Sequence, residues 1–91
     1  MNNQLIESLM EILEFIRPAI SNHHYTHIKE CLYHGEEGIA LEDMCSYIDD
    51  NNIALPELFF KKIENAGKAM EMNPDEWSYL KKHIINNSES S

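Results

Sequence analysis

The sequence predicts an all-α fold, a compact bundle of about five short antiparallel helices. Three observations predict it. Apolar residues recur at helical spacing in every segment. No apolar/polar alternation of the kind a strand needs survives beyond four residues. Helix start and stop signals are separated by short connections, which make sequential helices neighbours.

The first segment, about Asn3 to Ile16, puts Leu5, Leu9, Ile12, Leu13 and Ile16 on one face and Glu7, Glu11 and Glu14 on the other. Pro18 ends it, because proline disfavours helical geometry in Arg17 and donates no backbone hydrogen bond. The second segment, about Asn22 to His34, opens on Ser21 as N-cap. Ile20 and Tyr25 are spaced for a hydrophobic staple across that cap. Tyr25, Ile28 and Leu32 form its inward stripe, and Gly35 supplies a left-handed stop.

The third segment, about Glu36 to Asp50, turns Leu41, Met44, Cys45 and Ile48 inward. Glu36, Asp43, Asp50 and Tyr47 are assigned to its outer face. Glu36 and Glu37 suit the positive end of the helix dipole, whereas Asp49 and Asp50 sit at the negative end, at a cost of roughly a few tenths of a kcal/mol. Turn chemistry ahead of Asn51 and Asn52 is one reason for acids there; a role in binding is the other.

The fourth segment starts at Pro56, with Phe59, Ile63, Ala66 and Met70 inward. Gly67 either weakens its last turns or permits close packing. The fifth carries the clearest start signal. Asn73 caps, Pro74 occupies the first turn, Glu76 closes a capping box, and Met72 with Trp77 forms the staple. Trp77, Leu80 and Ile84 then face the core. Residues 1–85 are expected to form one helical domain and residues 86–91 a polar tail.

Composition narrows the function. The chain has 91 residues, 43% of them hydrophobic, and a formal net charge of -9. That length makes one domain, with too little interior for a deep enclosed pocket. The charge is not evenly spread. Residues 1–57 hold Glu7, Glu11, Glu14, Glu30, Glu36, Glu37, Glu42, Asp43, Asp49, Asp50 and Glu57 against only Arg17 and Lys29. From Leu58 onward, acids and lysines balance, so the whole negative charge belongs to the front of the chain. Direct nucleic-acid binding through a basic stripe is not expected at this charge. The first nine residues carry no basic region followed by an apolar run, and no stretch approaches a membrane span. The two cysteines are too few for a disulfide framework. A cytoplasmic, bacterial type of chain is expected, without membrane contact.

Catalytic and metal motifs are incomplete. His23 and His27 stand at i and i+4, with Glu30 and His34 alongside, but the glutamate base of a zinc hydrolase helix is missing between them. Cys31 and Cys45 lack the short spacing of a structural zinc site and have no activating neighbour in sequence. A calcium loop begun at Asp49 meets Ala54 where it needs glycine and Phe60 where it needs glutamate. Gly35, Gly38 and Gly67 fit no phosphate-binding loop. The acidic pairs Glu36-Glu37 and Glu42-Asp43 have no cleft to flank. No cofactor, no metal and no enzymatic activity are therefore expected. A metal or pH sensor built on His23 and His27 is the less favoured alternative.

The run from His34 to Ile48, with Gly35, Glu36, Gly38, Ala40, Leu41 and Glu42 followed by Ile53, Leu55, Phe59, Ile63 and Trp77, resembles the MafI-type immunity proteins. The resemblance spans about Tyr33 to Leu80. It implies a small bacterial protein that neutralises a polymorphic toxin, including those of contact-dependent growth inhibition systems, in a 1:1 complex of a monomer with its cognate toxin domain. Such toxins are often nucleases with basic substrate-binding surfaces. An acidic face would compete for such a surface and speed encounter. The residues assigned to that face are Glu7, Glu11, Glu14, Glu36, Asp43, Tyr47, Asp49 and Asp50. Tyr33, Tyr47 and Tyr79 are candidate anchors. An acidic helical adaptor that docks some other basic partner fits the same residues.

Overall fold

A computed structural model describes residues 3–85. The expected polar tail, residues 86–91, lies outside the described residues. Helices α1 (Asn3–Ile16), α2 (Asn22–Tyr33), α3 (Glu37–Asp50), α4 (Glu57–Ala69) and the short α5 (Asp75–Ser78) build an all-α core. A 3-10 turn, Arg17–Ala19, follows α1, and a longer 3-10 stretch, Tyr79–His83, follows α5. Helix α1 packs most extensively on α4 and also on α3, while α2 packs on α3.

The expected stripes account for most of the interior. Leu9, Ile12, Leu13 and Ile16 from α1, Tyr25, Ile28 and Leu32 from α2, and Leu41, Met44, Cys45 and Ile48 from α3 are all buried. Cys31 and Ala40 join them, and Leu5 is half-buried against the core.

The caps explain why the helices stop where they do. Ser21 accepts a hydrogen bond from the His24 N–H at 3.0 Å, as an N-cap should. Three helices then end in the same way. The N–H groups of Glu36, Ile53 and Met72 donate to the carbonyls of Cys31, Ile48 and Gly67, five residues earlier. The residue before each donor, Gly35, Asn52 or Glu71, has a left-handed backbone with φ of 75, 52 or 57°. These are Schellman terminations, and they satisfy carbonyls that would otherwise face no donor. Glycine and asparagine tolerate that conformation; Glu71 has nothing in its type to favour it.

Three expectations need correction. Pro56 is not the first residue of α4. It is extended, with ψ of 144°, and the helix starts at Glu57. Leu55–Pro56 forms β1, which pairs in parallel with β2, Ile84–Ile85, in the register Leu55 to Ile84. Such a two-residue pairing is too short to leave any alternation in the sequence.

The stripe of α4 is also rotated. Phe60, Ile63, Ala66 and Gly67 are buried, while Phe59 and Met70 are only half-buried. One residue is about 100° of helix, and that turn carries Phe59 towards α1. There it stacks on Phe15 with ring centroids 4.3 Å apart.

The last segment is not one α-helix with Ile84 inward. After α5 the backbone tightens to about three residues per turn, which aligns Trp77, Leu80 and His83 on one side. Trp77 is 1% exposed, Leu80 is fully buried, and the side chain of His83 is 7% exposed. Ile84 is half-buried in β2. The start signal itself holds in part: the Asn73 side chain accepts from the Asp75 N–H at 2.9 Å, and its carbonyl accepts from Glu76.

Gly67 is the close-packing residue that the sequence left open. A Cβ built there would overlap three ring atoms of Trp77. Gly67→Ala is expected to cost about 3 kcal/mol in urea unfolding, the upper range for overpacking a filled core. Glu71→Gly is expected to stabilise by roughly 0.5–1 kcal/mol in the same measurement, because it relieves left-handed strain without touching the core.

Candidate functional site

The residues assigned to an acidic face sort into groups by the partners the fold gives them. On α1, Glu11 crosses to Lys62 of α4 at 2.9 Å. Glu14 accepts from the Tyr25 hydroxyl at 2.7 Å and meets the Arg17 guanidinium at 3.4 Å. The Tyr25 hydrogen bond first, and then the Arg17 and Lys29 charges, hold the Glu14 carboxyl below its ordinary value. Arg17 and Lys29 also lie over the Tyr25 ring, at 4.2 and 5.5 Å from its centroid. Glu14 therefore ties α1 to α2.

A second group lies where α2 meets α3. Asp43, Tyr47 and Asp50 follow one another at i, i+4 and i+7 and so share a stripe of α3. Asp43 pairs with His27 at 3.1 Å, and Tyr47 stacks on His24 with centroids 4.4 Å apart. Burial, and then the Asp43 and Asp50 charges, raise the Tyr47 hydroxyl above its ordinary value. His27 also approaches the Cys31 sulfur, at 3.8 Å. Burial is the first cause that raises the Cys31 thiol, followed by the charges of Glu36 and Asp43. Cys45 is pushed up to about 12, again mainly by burial. Both thiols are protonated near neutral pH, the state of inert core cysteine.

Asp49 belongs to neither group. It accepts from His83 at 2.9 Å and pairs with Lys82 at 3.2 Å, so it fastens the C-terminal 3-10 stretch to α3. The two aspartates at the negative end of α3 thus differ: Asp49 is a latch, and Asp50 is exposed. Glu7 and Glu36 are exposed as well, and none of the three makes an ion pair with a described residue. Among the candidate anchors, Tyr33 is 74% exposed and Tyr79 is 39% exposed. Burial, helped by the Asp49, Glu76 and Asp50 charges, pushes the Tyr79 hydroxyl up to about 12.

The surface is therefore partly self-neutralised. Of the acids in residues 1–57, Glu11, Glu14, Asp49 and, when the His27 imidazole is protonated, Asp43 are ion-paired. Glu7, Glu30, Glu36, Glu37, Glu42, Asp50 and Glu57 are not, among the described residues. No group of three or more histidine, cysteine or acidic side chains among the described residues is placed to hold a metal ion. His23 and His27 do not converge with a third ligand, and His27 is turned to Asp43. No described helix is long and apolar enough to cross a membrane.

Sequence reasoning missed His83, Lys82 and Lys62, each of which engages one of the assigned acids. His83 had one available signal, its three-residue spacing from Leu80 and six from Trp77. Comparison with protein-family models, with curated proteins and with solved structures gave no match.

The Asp49 latch has a defined pH signature. The His83 and Lys82 hydrogen bonds lower the Asp49 carboxyl below its unfolded value, with further help from their charges. A lowered carboxylate contributes stability that is present above the unfolded value and lost as pH falls through the folded one. Asp49→Asn is thus expected to be less stable than the parent chain near neutral pH. The gap should close on acidification, in urea unfolding followed by circular dichroism. A gap of constant size across that range would remove the ionised carboxylate from the account.

Proposed function

We propose that this chain is an immunity protein that binds a cognate bacterial toxin domain, with a basic nuclease domain as the expected partner, and neutralises it by stoichiometric contact. The observation that carries the reading is the set of carboxylates in residues 1–57 that have no cation of their own among the described residues. A fold that needed its acids only for internal pairing would use them as it uses Glu14 and Asp49. Seven that it does not use this way keep the front of the chain at a negative potential. A surface that must hold phosphates is basic, and such a surface is what this potential attracts. The Gly35-to-Glu42 motif supports the same reading through its resemblance to MafI-type proteins. In the fold it also has a local task, since Gly35 ends α2 and Glu37 begins α3.

Inhibition of this kind needs no reaction at the inhibitor. The exposed acids accelerate encounter and reject partners of like charge, while buried contacts set the lifetime of the complex. The protonated thiols of Cys31 and Cys45 take no part. The protein acts in the cytoplasm, as a monomer in a 1:1 complex, where a toxin delivered from a neighbouring cell would arrive.

Co-expression with the toxin domain encoded next to the gene is the direct test. Rescue of growth is expected, and continued killing with folded protein present ends the proposal. Reversing Glu36 and Asp50 together to lysine is expected to slow association several-fold at low salt. The difference should shrink as salt rises, and helicity should not change. Equal association rates would place the contact away from α3.

A further inference from the structure

We infer that the groove between α1 and α4 is the anchoring site of a basic partner, and that it takes an amphipathic segment with large apolar side chains flanked by lysine or arginine. This deepens the immunity reading and rests on it for the identity of the partner, though not for the chemistry of the site. The groove is open to solvent, has a volume of about 580 Å³, and is lined by Met10, Glu11, Glu14, Phe15, Phe59 and Lys62. Its floor is the stacked pair Phe15 and Phe59. Two half-buried aromatic rings with a flexible methionine beside them form an adaptable apolar surface of the sort that receives an anchor residue.

The charges around it select the occupant. Helix α1 carries no basic residue from Asn3 to Ile16; two of its glutamates, Glu11 and Glu14, line the groove, and Glu7 lies one turn before Glu11. Glu14 is held by Tyr25, which leaves Glu11 in the groove, and Glu7 one turn beyond its lining, to an incoming cation. Glu11 is 57% exposed, and its pairing with Lys62 spans the groove as a solvent-facing bridge. Exposed bridges of this type exchange partners readily, so a cation from an occupant can take Glu11 from Lys62. Two other occupants fail on chemistry. The chain's own residues 86–91, Asn-Asn-Ser-Glu-Ser-Ser, bring no apolar side chain to the aromatic floor. A second copy brings another net charge of -9.

The test uses the whole chain with 13C-labelled methionine methyls and, as probe, a synthetic helical peptide. The peptide has leucine and phenylalanine at i, i+3, i+4 and i+7 and lysine elsewhere. The Met10 methyl is expected to shift and saturate, while the methyl of Met44, deep in the core, stays in place. Replacing the apolar residues of the peptide by alanine should weaken binding about tenfold or more, a loss of hot-spot size. Met10→Lys should do the same, and the double variant Glu7→Gln with Glu11→Gln, which leaves the floor intact, should weaken binding several-fold at low salt. A peptide that binds while only Met70 or Met72 responds, an alanine peptide that binds equally well, or no binding at all would each overturn the inference. So would a Met10 shift that depends on protein concentration without peptide, which would make a second copy the occupant. Failure of toxin rescue with the Met10 response intact sinks the immunity reading alone. Intact rescue with a silent Met10 sinks only this one.

Discussion

The contact between Trp77 and Gly67 is the constraint on which the arrangement of this chain depends. The largest side chain in the protein lies against a helix face that has no side chain at that point, and α4 can receive it only there. Once Trp77 is seated, the following residues have little freedom. Leu80 enters the core beside it, His83 arrives at Asp49, and Ile84 pairs with Leu55. The C-terminal segment is short and makes one tight turn after another, so it has no long amphipathic face of its own to stabilise it. A large buried ring and one internal hydrogen bond to a carboxylate supply what such a face would have supplied.

Most of the fold was legible because three helices obey simple periodicity. Their apolar stripes were fixed by 3.6-residue spacing, and their ends by residues whose chemistry is local, such as Ser21 and Gly35. The failures have a common physical origin. In α4 the sequence Leu-Phe-Phe offers adjacent apolar residues, and periodicity alone does not decide which of Phe59 and Phe60 faces the core. The choice is made by α1, through Phe15. In the last segment a change from 3.6 to three residues per turn moved burial from Ile84 to His83. No composition rule marks that change, and the segment ends in parallel pairing with a strand 29 residues earlier. Glu71 stayed hidden for a similar reason. Its left-handed backbone follows from the Schellman bonds around it and not from its own preferences.

The candidate site was less legible than the fold. Charge counts are additive along a sequence, but neutralisation is a property of pairs in space. Glu11, Glu14, Asp43 and Asp49 read as members of one acidic face until their partners are known. Those partners, Lys62, Tyr25, His27 and His83, come from three other parts of the chain. The pairing divides the acids into those whose charge is met by a neighbour in the free protein and those that contribute an outward field. Only the second kind bears on recognition over distance.

That division also bears on the proposed function, because a charged face alone would make an incomplete inhibitor. Acids that remain solvated in the free protein attract a basic surface at long range, yet most of their interaction is with water and salt in both states. They quicken encounter without holding the complex for long. Persistence requires apolar area that leaves water on binding. The accessible apolar side chains are placed unevenly: Tyr33 and Leu58 are exposed outside the groove, whereas half-buried Phe15, Phe59 and Met10 share it with Glu11 and Glu14. The rotation of α4 that took Phe59 out of the core is therefore the same feature that gives the surface a floor. Phe60 takes the core position that periodicity assigned to Phe59, and Phe59 lines the groove instead.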